Sequence, residues 1–334
     1  MDSDLADPPA CAVIAGRVRY GRYRHPIARI ELPLGLLGRW RLKEWHYLSV
    51  TSERWFLAFA IAQLGYVANV FCYLVDRSDP DRARRFEAML PLGRGVRIAE
   101  SSTRGITHFG RRRQHIDVRA ADGWKVDMRL PMGDDTLEGS FHVACADDSL
   151  ALLHRLRGDR PAYTHKAAAL PVTGRLGLGA QTLELDGALA ASDWTRSVAL
   201  RETRWKWASL AVHAADGRRV GLNLSAEVYD DDDGNSRENA LWIDGSVRAL
   251  GGVRFEVPRD RQKEPWRIVS HGGEALDLTF RPLGERAQHL EVGPLVTDFV
   301  QAFGLFEGSI SPGGAAPIAL RDAFGVVEDH WARW

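Results

Sequence analysis

The stretch from Trp55 to Val75 constrains this chain more than any other, because it carries only Gln63 and Asn69 as clearly polar side chains and is long enough to cross a bilayer. A run of that kind must be a membrane-spanning helix or elements buried on both faces. Aromatic and β-branched residues fill it, Gly65 interrupts its centre, and Glu53, Arg54, Asp76 and Arg77 fence its ends. Short apolar runs bounded by turn and charge signals are the pattern of buried strands. The sequence therefore predicts a buried hairpin here, and no integral membrane span.

The rest of the chain is punctuated like an all-β protein. Turn signals fall at Ala121-Asp122-Gly123, Ala215-Asp216-Gly217, Asp233-Gly234-Asn235, Asp244-Gly245 and Pro312-Gly313-Gly314. Between them Trp124 to Leu130 alternates apolar with charged residues, and Ser246 to Val257 does so less cleanly, as half-buried strands do. Helical windows are few, the best being Pro80 to Met89 and Asp147 to Arg157. A boundary is expected near Gly158 to Lys166, dividing the chain into residues 1–160 and 161–334. Two all-β halves of this size, without a visible internal repeat, suit closed or flattened antiparallel barrels, since closure removes exposed edge strands.

Charge and motif spacing exclude several functions. The 334 residues balance at net charge zero, so the basic run Arg111-Arg112-Arg113 reads as a solvated strand face and no nucleic-acid partner is expected. Asp230 to Asp233 followed by Gly234 fails as a calcium loop: aligned on the required glycine, Tyr229 and Ala240 occupy the first and last ligand positions. Glycines 174, 177 and 179 miss the dinucleotide spacing. Cys11, Cys72 and Cys145 are odd in number and in no metal-type spacing, so neither a disulfide framework nor a metal site is expected. No cofactor is implied. The N-terminal MDSDLADPP has no secretory character, which makes the cytoplasm the expected compartment.

Chemistry-bearing residues concentrate in the second half. In Arg201 to Ser209 a period of two puts Arg201, Thr203, Trp205, Trp207 and Ser209 on one face and Glu202, Arg204 and Lys206 on the other. The first face is aromatic with small hydroxyls, as the wall of an apolar pocket would be. Asp193-Trp194-Thr195-Arg196, Asn223, Glu238-Asn239 and Glu328-Asp329-His330 add carboxylates, amides and an imidazole. Buried charge requires a partner, so these residues form either a structural network or a site with a general acid.

Several spaced motifs carry a resemblance. WHYLSVTSERWF, GYVANVFCYLVDR, HKAAALPVTGRL, DWTR, TRWKWAS, VGLNLS, ENALWIDG, KEPWRI and EDHWARW occur in the order seen in the domain-of-unknown-function 2804 family, from about Arg39 to Trp334. That family is similar to the calycin, or lipocalin-like, two-barrel proteins that include carotenoid 1,2-hydratase and lipocalin-type cyclases. The resemblance implies two consecutive lipocalin-like barrels packed together. Three functions are then open. A barrel pocket lined by Trp205, Trp207 and Thr203 could bind an isoprenoid, fatty-acid or polyketide-like molecule, oriented by Asn223, Asn239, Arg196 and His330. A hydratase or cyclase could use Asp193 or Glu238 as a buried general acid on an alkene. Or the barrels are filled, and EDHWARW welds them together.

Overall fold

In a computed structural model the structure describes residues 5–35, 38–272, 275–293, 295–311 and 316–334; the turn expected at Pro312-Gly313-Gly314 lies outside them. Two large sheets dominate, with every strand pairing antiparallel. The first runs Arg84–Pro91, Val67–Asp76, Trp55–Gln63, Leu42–Thr51, Leu189–Val198, Arg160–Leu178, Asp135–Val143, Gly123–Met132, Gln114–Ala121, Ile106–Arg111, Val96–Arg97. The second runs Ser246–Ala249, Ala240–Ile243, Arg219–Ala226, Glu202–His213, Ile318–Arg333, Leu295–Ile310, Leu276–Val292, Trp266–Ser270, Val253–Glu256. Each sheet curls without closing: Arg84–Pro91 approaches Gly123–Met132, where Arg84 donates to Met132 O at 3.4 Å, but no ladder joins them. The expectation of closed barrels is thus corrected to two curled half-barrels. The chain passes from one sheet to the other between Val198 and Glu202, so residues 161–198 complete the first sheet.

The apolar run forms the strands Trp55–Gln63 and Val67–Asp76, paired from Trp55↔Asp76 to Gln63↔Ala68 around the turn at Gly65. Their two-sided apolarity has a cause. Leu57, Phe59, Ile61, Val70, Cys72 and Leu74 face the concave interior of the first sheet, whereas Ala58, Ala60, Phe71 and Tyr73 face the second sheet. No described helix is long and apolar enough to cross a membrane. Both concave interiors hold buried side chains, among them Leu48, Phe109, Val126 and Phe141 in one and Leu222, Trp266, Phe280 and Phe306 in the other.

Both expected helices are strands. Pro80–Arg82 makes a single 3₁₀ turn and Arg84–Pro91 then pairs with Val67–Asp76, because Phe86 and Leu90 alternate into the core. Leu150–Leu156 pairs with Arg160–Leu178 and with Gly21–Tyr23, its leucines buried on both faces. Tertiary pairing overrides local propensity in both segments. Asp230 to Gly234 forms a tight turn in which Asp231 accepts from the N–H groups of Asp233 and Asn235.

The two sheets pack convex face to convex face, and the seam is uneven. On one side it is closed by small residues: Gly221, Ala211 and Ala240 lie against Ala168, Ala169 and Ala191, and a Cβ on Gly221 would sit 2.5 Å from that of Ala168. On the other side aromatic rings hold the sheets apart, with Trp45 stacked on Trp205 at 6.0 Å and Tyr47 edge-on to Trp207 at 5.1 Å. Small residues at one edge and large ones at the other make a wedge.

Candidate functional site

The wedge encloses a cavity of about 420 Å³ lined from both sheets. Strand register builds its deep end. On the first sheet Lys166, Asp193, Tyr47, Ala60 and Phe71 are consecutive cross-strand partners. On the second, Trp207, Glu328, Gln301 and Arg286 are likewise in one row. Neighbours in such a row project to the same face about 5 Å apart, so two ladders of functional side chains confront each other. Lys166 reaches this face because of a bulge at Ala169 (φ 60°), where the register shifts between Ala168 and Leu170. The extra residue switches parity, so Leu170 and Val172 point to the core while Lys166 and Ala168 point to the seam.

Lys166, almost wholly buried, is clasped between two carboxylates, 2.6 Å from Asp193 and 3.4 Å from Glu238. Burial pulls the ammonium down, but the two anions outweigh it and its pKa is raised. Burial also raises the pKa of Glu238, against the pull of Lys166. Asp193 further accepts from Trp45 Nε1 at 3.1 Å and from the Thr195 hydroxyl at 2.8 Å. Asp193 is thus fully engaged, whereas Glu238 Oε2 has the ion pair with Lys166 and no hydrogen-bond donor; breaking such a buried cluster by removing its cation is costly.

Glu328 is different. Its oxygens accept from Trp205 Nε1 at 2.5 Å and from Gln301 Nε2 at 2.8 Å, both uncharged donors. Gln301 is held in turn by the Tyr73 hydroxyl at 2.8 Å. Burial drives the Glu328 carboxyl up to about 7, against the two hydrogen bonds and assisted by the negative charge of Asp193. A carboxyl in that range is protonated about half the time at neutral pH, as proton transfer in both directions requires. Beside it, His330 is held neutral by burial, at about 3, with its Nε2 2.9 Å from the Thr297 hydroxyl and its ring 4.0 Å from that of Trp205. Arg286 lies at the far end of the row over the faces of Phe71 and Phe299, 2.9 Å from Glu87.

Trp205, Trp207, Thr203, His330, Asp193 and Glu238 all line this cavity. It lies between the sheets, however, and the expectation of a pocket inside a barrel is corrected, since the barrel interiors are occupied by their own cores. Arg196 is elsewhere: strand alternation turns it away from Asp193, and it pairs with Glu44 at 2.7 Å on the opposite face. Asn223 and Asn239 do not line the cavity. Asn223 supports it, accepting from Trp207 Nε1 and donating to the Glu238 carbonyl, both at 2.8 Å. Asn239 ties the backbone of Ser225 to Gly251. Trp45, Tyr47, Lys166, Gln301 and Arg286 escaped the sequence reading because their partners are remote in sequence. Glu328 stood within the EDHWARW cluster, and the strand that carries it, Ile318–Arg333, is central in the second sheet.

No curated protein matches the sequence. Among solved structures the chain is similar to kievitone hydratase from Nectria haematococca, with a TM-score of 0.50, 13% identity, and coverage of 86% of this chain and 88% of that one. It is equally similar to CghA with Sch210972, with a TM-score of 0.51, 13% identity, and coverage of 86% and 87%. At such identity the likeness is one of fold. The sequence itself matches a family over residues 11–334, and the chain belongs to that family, DUF2804, a domain of unknown function.

Proposed function

We propose that this protein is a cofactor-independent hydro-lyase or cyclase acting on an apolar or amphipathic alkene, isoprenoid, fatty-acid or polyketide-like, bound between the two sheets. The observation that carries this reading is Glu328: a buried carboxyl with only neutral hydrogen-bond donors, at about 7, in the wall of an aromatic cavity. Its proton passes to one alkene carbon, leaving a carbocation at the other. The faces of Trp205, Trp207 and Tyr47 stabilise that charge. Water, or a nucleophile within the substrate, adds to the cation and returns a proton to the Glu328 carboxylate, which restores the acid. Asp193 and Glu238, the acids expected from sequence, are engaged with Lys166 and serve in this scheme to fix Trp45 and the local field. The name of kievitone hydratase, a protein of the same fold, agrees with the reaction class.

Binding without turnover is the second reading, favoured by the size and aromatic lining of the cavity. One set of measurements separates the two. Protein purified from its own host is examined by native mass spectrometry, the co-purifying molecule is extracted, and it is incubated with the protein in D₂O. Incorporation of one deuterium on carbon by the parent and not by Glu328→Gln, with binding retained in both, supports the acid. Turnover by Glu328→Gln at the parental rate removes Glu328 from the mechanism, and binding with no turnover by either protein leaves a carrier.

A further inference from the structure

Large apolar side chains exposed to solvent are few among the described residues: Ile14, Leu34, Trp40, Met89, Leu92 and Val292. Single exposures of this kind are ordinary, but four of these six gather at the open end of the cavity. Met89 at 45% and Val292 at 56% exposure line its mouth from opposite sheets. Trp40 at 59% and Leu92 at 64% flank the turn that forms its lip: the Leu92 N–H donates to Tyr66 O at 2.9 Å, and the Lys43 ammonium joins Trp40 O to Leu64 O at 2.8 and 2.7 Å. Exposed Leu34 lies directly beside Gly38 in the same approach segment. Arginines cluster at the lip of this collar: Arg39 and Arg41 bracket Trp40, and Arg94 follows Leu92 by two residues, all exposed. Of the exposed acids on or beside the cavity wall, Glu87 pairs with Arg286 and Glu227 with Lys206, and the other two are Glu202 and Glu291.

We propose that this rim is a docking surface for an anionic phospholipid bilayer. Trp40, Leu92, Met89 and Val292 enter the boundary between headgroups and acyl chains, and Arg39, Arg41 and Arg94 meet lipid phosphates. An apolar ligand then passes between bilayer and cavity without crossing water. Exposed apolar residues with tryptophan, interleaved with arginine, are the composition that holds a protein at this depth. The seating is peripheral, and it is independent of the chemistry assigned to Glu328.

The competing occupant is a second copy of this chain. Flotation of the full-length protein with vesicles of phosphatidylcholine and phosphatidylglycerol in equal parts, and with phosphatidylcholine alone, tests the proposal together with light scattering in the absence of lipid. The parent is expected to float with the mixed vesicles and weakly with the neutral ones. Trp40→Asp and Leu92→Asp should each lower the bound fraction about tenfold, the loss of one buried apolar side chain, with unchanged thermal stability because both side chains are exposed. Arg39→Gln with Arg41→Gln should erase the preference for anionic vesicles. Failure of the parent to float, or aspartate variants that float as well as the parent, overturns the proposal. A concentration-dependent dimer that Trp40→Asp dissociates also overturns it and gives the rim to a second copy.

Discussion

Replacing Glu328 by glutamine should abolish proton transfer and at the same time stabilise the protein at alkaline pH. The unfolded chain releases this proton near 4.5, whereas the folded chain holds it to about 7. Between those values the native state binds one proton more than the unfolded state, so stability falls by about 1.4 kcal/mol per pH unit and is then level above the folded value. The accumulated loss is about 3 kcal/mol at pH 8. The substituted amide would carry no charge to desolvate, and turning over the Gln301 amide lets its oxygen accept from the new side chain while its nitrogen donates to Tyr73. The variant should therefore match the parent near pH 4 and exceed it by about 3 kcal/mol at pH 8. For a chain of 334 residues, unfolding entropy of about 0.7 kcal/mol/K converts that difference into roughly 4 °C in Tm. Thermal melts of both proteins from pH 5 to pH 9 are the assay. A variant no more stable than the parent at pH 8 refutes the claim that burial raises the proton affinity of Glu328, and the proposed acid falls with it.

Lys166→Met leaves Asp193 and Glu238 buried without their cation and should cost about 3–5 kcal/mol, with partial rescue by adding Asp193→Asn; a loss below about 1 kcal/mol in chemical denaturation would contradict the triad's role. Gly221→Val drives a side chain into Ala168 and the adjoining backbone at the tight edge of the seam, and the expected cost of about 1–3 kcal/mol should come with altered quenching of cavity tryptophans by acrylamide. His46, His165 and His330 are buried and neutral, lowered by burial to about 4, 3 and 3. The unfolded chain takes up these protons first, so stability should fall by about 1.4 kcal/mol per histidine per pH unit as pH drops from 6 towards 4, and His165→Phe should flatten that slope in acid titrations followed by circular dichroism.

The buried hairpin was legible because its apolar residues are contiguous and its turn glycine is central. The alternation in Trp124 to Leu130 was equally legible, since Gly123–Met132 places even-numbered residues in the core and odd-numbered ones outside. The segments around Pro80 and Leu150 were not, because their strand state depends on partners remote in sequence. In the site, Trp205, Trp207 and Thr203 share a face by period two alone. That rule could not show that the face meets the outside of another sheet rather than the inside of its own.

Sequence by itself determined an all-β chain, the positions of many turns, and a set of buried polar residues that had to find partners, since apolar periodicity and the cost of unpaired burial are local properties of side chains. Tertiary structure alone decided which partner each one found. Register across remote strand pairings set Lys166 between Asp193 and Glu238 while leaving Glu328 with neutral donors, and the bulge at Ala169 chose which face the lysine occupies. A carboxylate's proton affinity depends on charge and solvent within a few ångströms. Two glutamates that look alike in sequence therefore take different roles, one in an ion pair and the other as a poised acid.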